Sequence, residues 1–216
     1  MQYKVLYMDK HLDDLKHIRG IMERSTKFLS LSGYSGIFAG LVATVGGILQ
    51  LMYMKKEKVV LDLFNQYDTD GLHQLNSFLK FTFINFSVIL SLALLGAFYF
   101  TYAKARKTNK PLFDSTTYRL ALNFGFPLVC GGLLVLYLFS KGFIGFLAPI
   151  SLIFYGISIF NASNFTYSDT RYLGVVLTIL GFVNLLFIGF GIYFWILGFG
   201  LAHIFYGFWM YFKYEK

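Results

Sequence analysis

YLGVVLTILGFVNLLFIGFGIYFWILGFGLAHIFYGFWMYF, residues Tyr172 to Phe212, runs for 41 residues without a formal charge. A helix needs about 20 apolar residues to cross a bilayer core, where unpaired backbone groups cannot face hydrocarbon. The stretch is therefore too long for one span and right for two. Gly189-Phe190-Gly191 is the expected break, because glycine accepts turn dihedrals. The two spans are then placed at residues 172–189 and 192–212.

Working outward, four further blocks meet the same test, at residues 28–54, 81–103, 120–140 and 143–162. Lys141-Gly142 is the expected turn between the last two. The expected fold is an all-α integral membrane protein with a bundle of six transmembrane helices. Composition agrees. The 216 residues are 56% hydrophobic and 14% charged, with mean hydropathy +0.59, against roughly 25% charged in soluble domains. One cysteine, Cys130, excludes a disulfide scaffold and is expected as a small core residue.

Lysine and arginine placement orients the bundle. With six spans, 14 of these residues fall on one side: the six in the N-terminal arm, Lys104, Arg106, Lys107, Lys110, Arg119, Arg171, Lys213 and Lys216. The other side holds 5, namely Lys55, Lys56, Lys58, Lys80 and Lys141. Both termini are therefore expected in the cytoplasm. The net charge of +8 reads as topology and lipid contact rather than direct nucleic-acid binding.

Residues 1–27 are too polar for a signal peptide. Within them, 9–27 has Leu12, Leu15, Ile18 and Met22 at helical spacing, which reads as a surface helix or a docking helix for a cytoplasmic partner. The connection from Lys55 to Ser77 is read as a polar extracytoplasmic loop. Its Asp68-Thr69-Asp70-Gly71 fails as a calcium loop, since Gln66 and Ser77 would stand where carboxylates are required. Gly33, Gly36, Gly40, Ala43 and Gly47 repeat at steps of 3, 4, 3 and 4, a small-residue stripe for close packing against another span or a second copy. That helix is expected at the centre of the bundle. Ile153-Phe154-Tyr155-Gly156 recurs as Ile204-Phe205-Tyr206-Gly207, which fits a parallel repeat of two-helix hairpins or chance similarity.

Acidic and basic side chains are absent from the span interiors, and His203 is the titratable candidate there. Ion-coupled transport, which needs a buried carboxylate, is disfavoured. Asn85, Asn123, Ser87, Ser91, Thr178 and Asn184 fit either a path for a neutral solute or interhelical glue. No catalytic, cofactor-binding or metal set emerges. Asp13, Asp14 and His17 lack further ligands. Glu23 with Arg24 reads as a headgroup or interhelical ion pair, and Arg171 is within reach of Asp169, Asp114 or the N-terminal acids.

Met22-Glu23-Arg24-Ser25, Phe28, Ser30-Leu31-Ser32-Gly33, Ser35-Gly36 and Ala39-Gly40 resemble the opening of a family of uncharacterised bacterial polytopic membrane proteins. Ala162-Ser163, Thr166, Arg171-Tyr172-Leu173-Gly174, Gly198-Phe199-Gly200, His203-Ile204, Tyr206-Gly207 and Met210-Tyr211 resemble its closing pattern. The likeness covers the first and last thirds of the chain. It implies a bacterial inner membrane and a neighbouring winged-helix transcription regulator as partner, and it carries no catalytic residue. It draws interest to Glu23, Arg24, Arg171 and His203. The leading expectation is a non-enzymatic sensor or scaffold, followed by a passive transporter or channel and then a lipid-acting enzyme. A homo-oligomer is compatible with the glycine stripe.

Overall fold

The computed structural model describes Phe28 and residues 32–56, 69–108 and 114–216. The described residues form an all-helical bundle without strands. Its helices are α1 (Gly33–Lys56), α2 (Thr69–Lys107), α3 (Ser115–Ser140), α4 (Leu147–Ala162) and α5 (Thr170–Leu186). A sixth, α6, joins an α-helical start (Gly191–Trp195), a π-helical segment (Ile196–Ala202) and an α-helical end (His203–Tyr214). Short 3₁₀ turns, Ile144–Phe146 and Ile188–Phe190, lead into α4 and α6.

Five segments are long and apolar enough to cross a membrane: Gly33–Lys55, Asn76–Lys107, Ser115–Ser140, Ile144–Ala162 and Ile188–Tyr214. The shorter α5 has 17 residues, about 26 Å at helical rise, against a core of about 30 Å. The outer faces carry exposed Leu41, Met52, Leu95, Phe126, Ile179 and Phe205. Helices apolar on every side suit hydrocarbon rather than water.

Several boundaries differ from the sequence reading, each for a local reason. The first helix starts at Gly33 rather than residue 28, where a carboxylate receives its first free N–H. Ahead of it, the Phe28 N–H donates to the Phe165 carbonyl at 2.7 Å. The second half of the expected 55–77 loop is helical, since α2 spans 39 residues from Thr69. Asp70 and Gly71 therefore lie in a helix, the wrong backbone for a calcium loop, while Asp68 is outside the described residues. The break before α6 comes at Phe187 (φ −128, ψ 58), and Gly191 has helical dihedrals, so glycine's extra freedom is not what ends α5. At Lys141-Gly142 the expected turn is present, with Gly142 at φ 76.

α4 lies between α3 and α5, and α1 lies between α2 and α6. The start of α6 also packs on α4, so α6 connects the two groups. The glycine-striped α1 is thus not the central helix, because its outer face, with Val45, Ile48 and Leu49, is exposed.

Two reciprocal glycine contacts bring backbones together. A Cβ on Gly33 would fall 2.6 Å from the Gly207 carbonyl oxygen, and one on Gly207 would fall 2.7 Å from that of Gly33. Gly156 and Gly174 do the same between α4 and α5, at 2.7 and 2.8 Å from each other's carbonyl oxygens. Both IFYG glycines therefore stand at tight crossings. The core between the groups is aromatic, with Phe199 packed against both the Leu152–Leu177 cluster and the Ala43–Ile89–Trp195 cluster.

Candidate functional site

One end of the bundle is polar and tied together. The start of α1, the end of α2, the connection 163–169 and the end of α6 all meet there. Glu215 accepts hydrogen bonds from the Gly33 N–H at 2.6 Å, Ser32 Oγ at 3.3 Å and Lys104 Nζ at 3.0 Å. An anionic acceptor suits the positive end of the α1 dipole. Lys104 also donates to Tyr167 Oη at 3.3 Å and sits 5.3 Å above that ring. Thr166 closes the connection by donating to the Phe28 carbonyl at 2.8 Å.

Beside this set, Asp169 accepts from Lys213 Nζ at 2.5 Å, Tyr214 Oη at 3.0 Å and Trp209 Nε1 at 3.3 Å. Partial burial pushes its carboxyl up, but the three hydrogen bonds and the Lys213 charge together hold it below the ordinary aspartate value. Arg171 reaches none of the carboxylates proposed for it among the described residues. It donates to Asn164 Oδ1 at 3.2 Å and lies 5.4 Å over the Phe160 ring. Asp114 caps α3 instead, accepting from the Thr117 N–H at 2.7 Å, and its pKa is lowered chiefly by that bond. Glu23, Arg24 and the arm 9–27 lie outside the described residues.

The second site is within the apolar interior. His203 is buried, with Nδ1 2.9 Å from the Gly198 carbonyl and Nε2 3.1 Å from Tyr155 Oη. A carbonyl only accepts, so Nδ1 carries the proton and, in the neutral ring, Nε2 accepts from the tyrosine. The ring neighbours Tyr155, at 5.5 Å, and Phe199, at 6.1 Å, and those two rings are themselves 5.0 Å apart. Gly198 is five residues before His203, at the π segment. That wider turn presents the Gly198 carbonyl to the imidazole.

The glycine stripe packs on α6. Gly33 and Gly36 meet Gly207, Gly40 meets Gly200 and Ile204, and Gly47 meets Ile196. Ala43 packs with Ile89 and Trp195. Among the described residues, the two stretches that carry the family resemblance thus meet at Gly33, Gly36 and Gly40 on one side and Gly200, Ile204 and Gly207 on the other.

The six polar side chains considered as a solute path do not converge. Asn85 donates to the Gly46 carbonyl at 3.0 Å and to Gln50 Oε1 at 3.3 Å, while Gln50 donates to Thr82 at 2.9 Å. This bonds α1 to α2. Asn123, Ser91 and Thr178 each donate to a carbonyl four residues back. Asn184 donates to the Phe187 carbonyl and leaves Oδ1 buried without a partner. Cys130 is exposed rather than in the core. No group of three His, Cys, Asp or Glu side chains able to hold a metal occurs among the described residues.

Sequence reading missed Gln50, Thr82, Tyr155, Lys104 and Glu215 as partners. Gln50 was detectable as the lone amide in the first span. Glu215 was not, because nothing local links the chain's penultimate residue to a helix start some 180 positions earlier. No family model matches the chain, and neither a curated protein nor a solved structure matches it.

Proposed function

We propose that the chain is a six-span protein of the bacterial cytoplasmic membrane, with both termini cytoplasmic. Its role is that of a non-enzymatic sensor or scaffold that couples the bilayer to a cytoplasmic partner. A transcription regulator is the partner class that the family resemblance suggests. The observation that carries this reading is the polar end, where Glu215, Lys104, Tyr167 and Asp169 bind together four separate parts of the chain. The arm 9–27 and the 104–118 connection adjoin that end in sequence, so a partner held by them would act on a joined unit.

Helix directions support the threading, because each helix ends where the next begins and the polar end gathers alternate termini. Trp209, Tyr167 and Tyr214 beside Lys213 and Lys104 suit an interface belt. The 17-residue α5 crosses with local thinning of the bilayer or help from its flanking turn.

Passive permeation is the second reading. Of its six candidate lining groups, Asn85, Asn123, Ser91, Thr178 and Asn184 are hydrogen-bonded to their own helix or to a neighbouring one, which leaves it without a defined path. A lipid-acting enzyme is third, and Arg171 and His203 stand in different environments, one exposed and one buried.

A reporter fused after Lys216 should remain cytoplasmic, and a periplasmic signal would refute the orientation. Native mass spectrometry of the chain with its lipid, alone and lacking residues 9–27, tests the role. A bound regulator that is lost on deletion supports the scaffold. Solute flux in liposomes that survives the deletion would replace it with the permease.

A further inference from the structure

α2 and α3 follow one another in the chain yet diverge. α2 packs along α1 and α3 along α4, and the two approach through the Phe83 and Phe139 rings at 6.1 Å. The divergence leaves an open cleft of about 590 Å³ lined by Asn76, Leu79, Lys80, Phe83, Ile84 and Phe139. That volume falls within the about 300–1,000 Å³ typical of small-ligand sites.

The lining is divided by chemistry along the helix. Asn76 and Lys80 stand four residues apart on one face, just before the apolar run begins at Phe81. Phe83 and Ile84 continue that face one turn deeper. Lys80 is exposed, and among the described residues its ammonium pairs with no carboxylate. Lys141, in the turn that ends α3, brings a second cation to the same end of the bundle.

A second copy of the chain is a poor occupant. A two-fold contact through this face would set Lys80 against Lys80. A molecule with an anionic head and an apolar tail matches both parts of the lining. We propose that the cleft holds one anionic phospholipid, its phosphate on Lys80 and the Asn76 amide and an acyl chain along Phe83, Ile84 and Phe139. The inference rests on residence in a bilayer, as proposed above, and is independent of any cytoplasmic partner.

The test is native mass spectrometry of the full chain extracted from vesicles of equal parts phosphatidylglycerol and phosphatidylethanolamine. The wild type should retain one phosphatidylglycerol and exclude phosphatidylethanolamine. Lys80→Gln should lower the retained share about fivefold, the effect of one lysine near an anionic headgroup. Ile84→Trp, which fills the cleft and leaves Lys80 in place, should expel the lipid. Both side chains are exposed, so the unfolding midpoints should match wild type. Lys107→Gln at the opposite end and deletion of 9–27 should change nothing.

Equal retention of both lipids, or no effect of Lys80→Gln, overturns the proposal. A lipid-free dimer does so too, by assigning the cleft to a second copy. An inserted chain without bound lipid overturns this inference alone, whereas a chain that stays out of the vesicles overturns the bilayer reading and this inference with it.

Discussion

Replacing Gly207 with alanine tests whether α1 and α6 meet backbone to backbone. The added methyl would lie 2.6 Å from the Ile37 nitrogen and 2.7 Å from the Gly33 carbonyl oxygen. Non-bonded carbon contacts settle at about 3.5–4.0 Å, so the helices must part by about 1 Å. Neither obstacle is a side chain that can rotate aside. Overpacking of this kind costs about 1–3 kcal/mol, while alanine's better helix propensity returns up to about 1 kcal/mol. The control must share that propensity gain. Gly132→Ala does, since a methyl on Gly132 meets nothing within 4 Å. Unfolding free energies in mixed micelles should place Gly207→Ala about 1–3 kcal/mol below Gly132→Ala. Gly36→Ala, whose methyl comes no closer than 3.2 Å to Gly207 Cα, should fall between them. Equal stability for all three would refute the close crossing.

Other perturbations address the polar end and the buried histidine. Glu215→Ala removes the acceptor at the start of α1 and the partner of Lys104, and should cost about 1–2 kcal/mol. Glu215→Gln should restore part of the loss, read as amide-exchange protection in the first turn of α1. Asp169 has a folded pKa below its unfolded value, so its contribution is complete above the ordinary aspartate range and disappears as pH falls through the folded value. Asp169→Asn should therefore be less stable than wild type at neutral pH, with the gap closing in acid; a gap that persists in acid would contradict this. Tyr155→Phe leaves His203 Nε2 unpaired in the interior, at about 1 kcal/mol. Adding His203→Phe should cost less than the sum of the single changes, and strict additivity would show that the 3.1 Å contact carries no coupling.

The bundle was legible because its signal is local. Each apolar block exceeds the length of a soluble core helix, and Lys141-Gly142 marks a turn through a glycine that takes positive φ. What escaped the reading depends on tertiary contacts. Gly189 and Gly191 looked like the break, yet Phe187 makes it, where the fully buried Asn184 binds the Phe187 carbonyl and ends α5. The 55–77 segment looked like a loop from its polarity, yet its second half extends α2. The glycine stripe announced close packing but not its partner, since spacing along one helix says nothing about the facing helix. His203 stood out as a titratable residue, while its tyrosine partner lay 48 positions away in what read as an ordinary aromatic span.

The π segment explains how α6 serves two sets of neighbours. Just before it, Trp195 meets Phe86 of α2 at 4.8 Å, and within it Gly198 leaves room for Leu152 of α4 and Leu177 of α5. After it, Ile204 and Gly207 lie on α1. A regular α-helix advances each face by a fixed 3.6-residue repeat. The wider turn over Ile196–Ala202 resets the faces, so one helix keeps α1 on one side, through Ile196, Gly200 and Gly207, and α4 on another, through Gly198 and His203. The Gly198 carbonyl exposed by that turn is the one that binds His203 Nδ1, and His203 in turn holds Tyr155 of α4. The histidine therefore pins the change of register to the neighbouring helix. Loss of the imidazole should loosen the junction between the two helix groups before it loosens either group alone. Amide exchange in His203→Phe should accordingly rise first around residues 196–207, with protection at the Gly156–Gly174 crossing preserved. A rise that begins at that crossing would show that the histidine supports the α4–α5 pair instead.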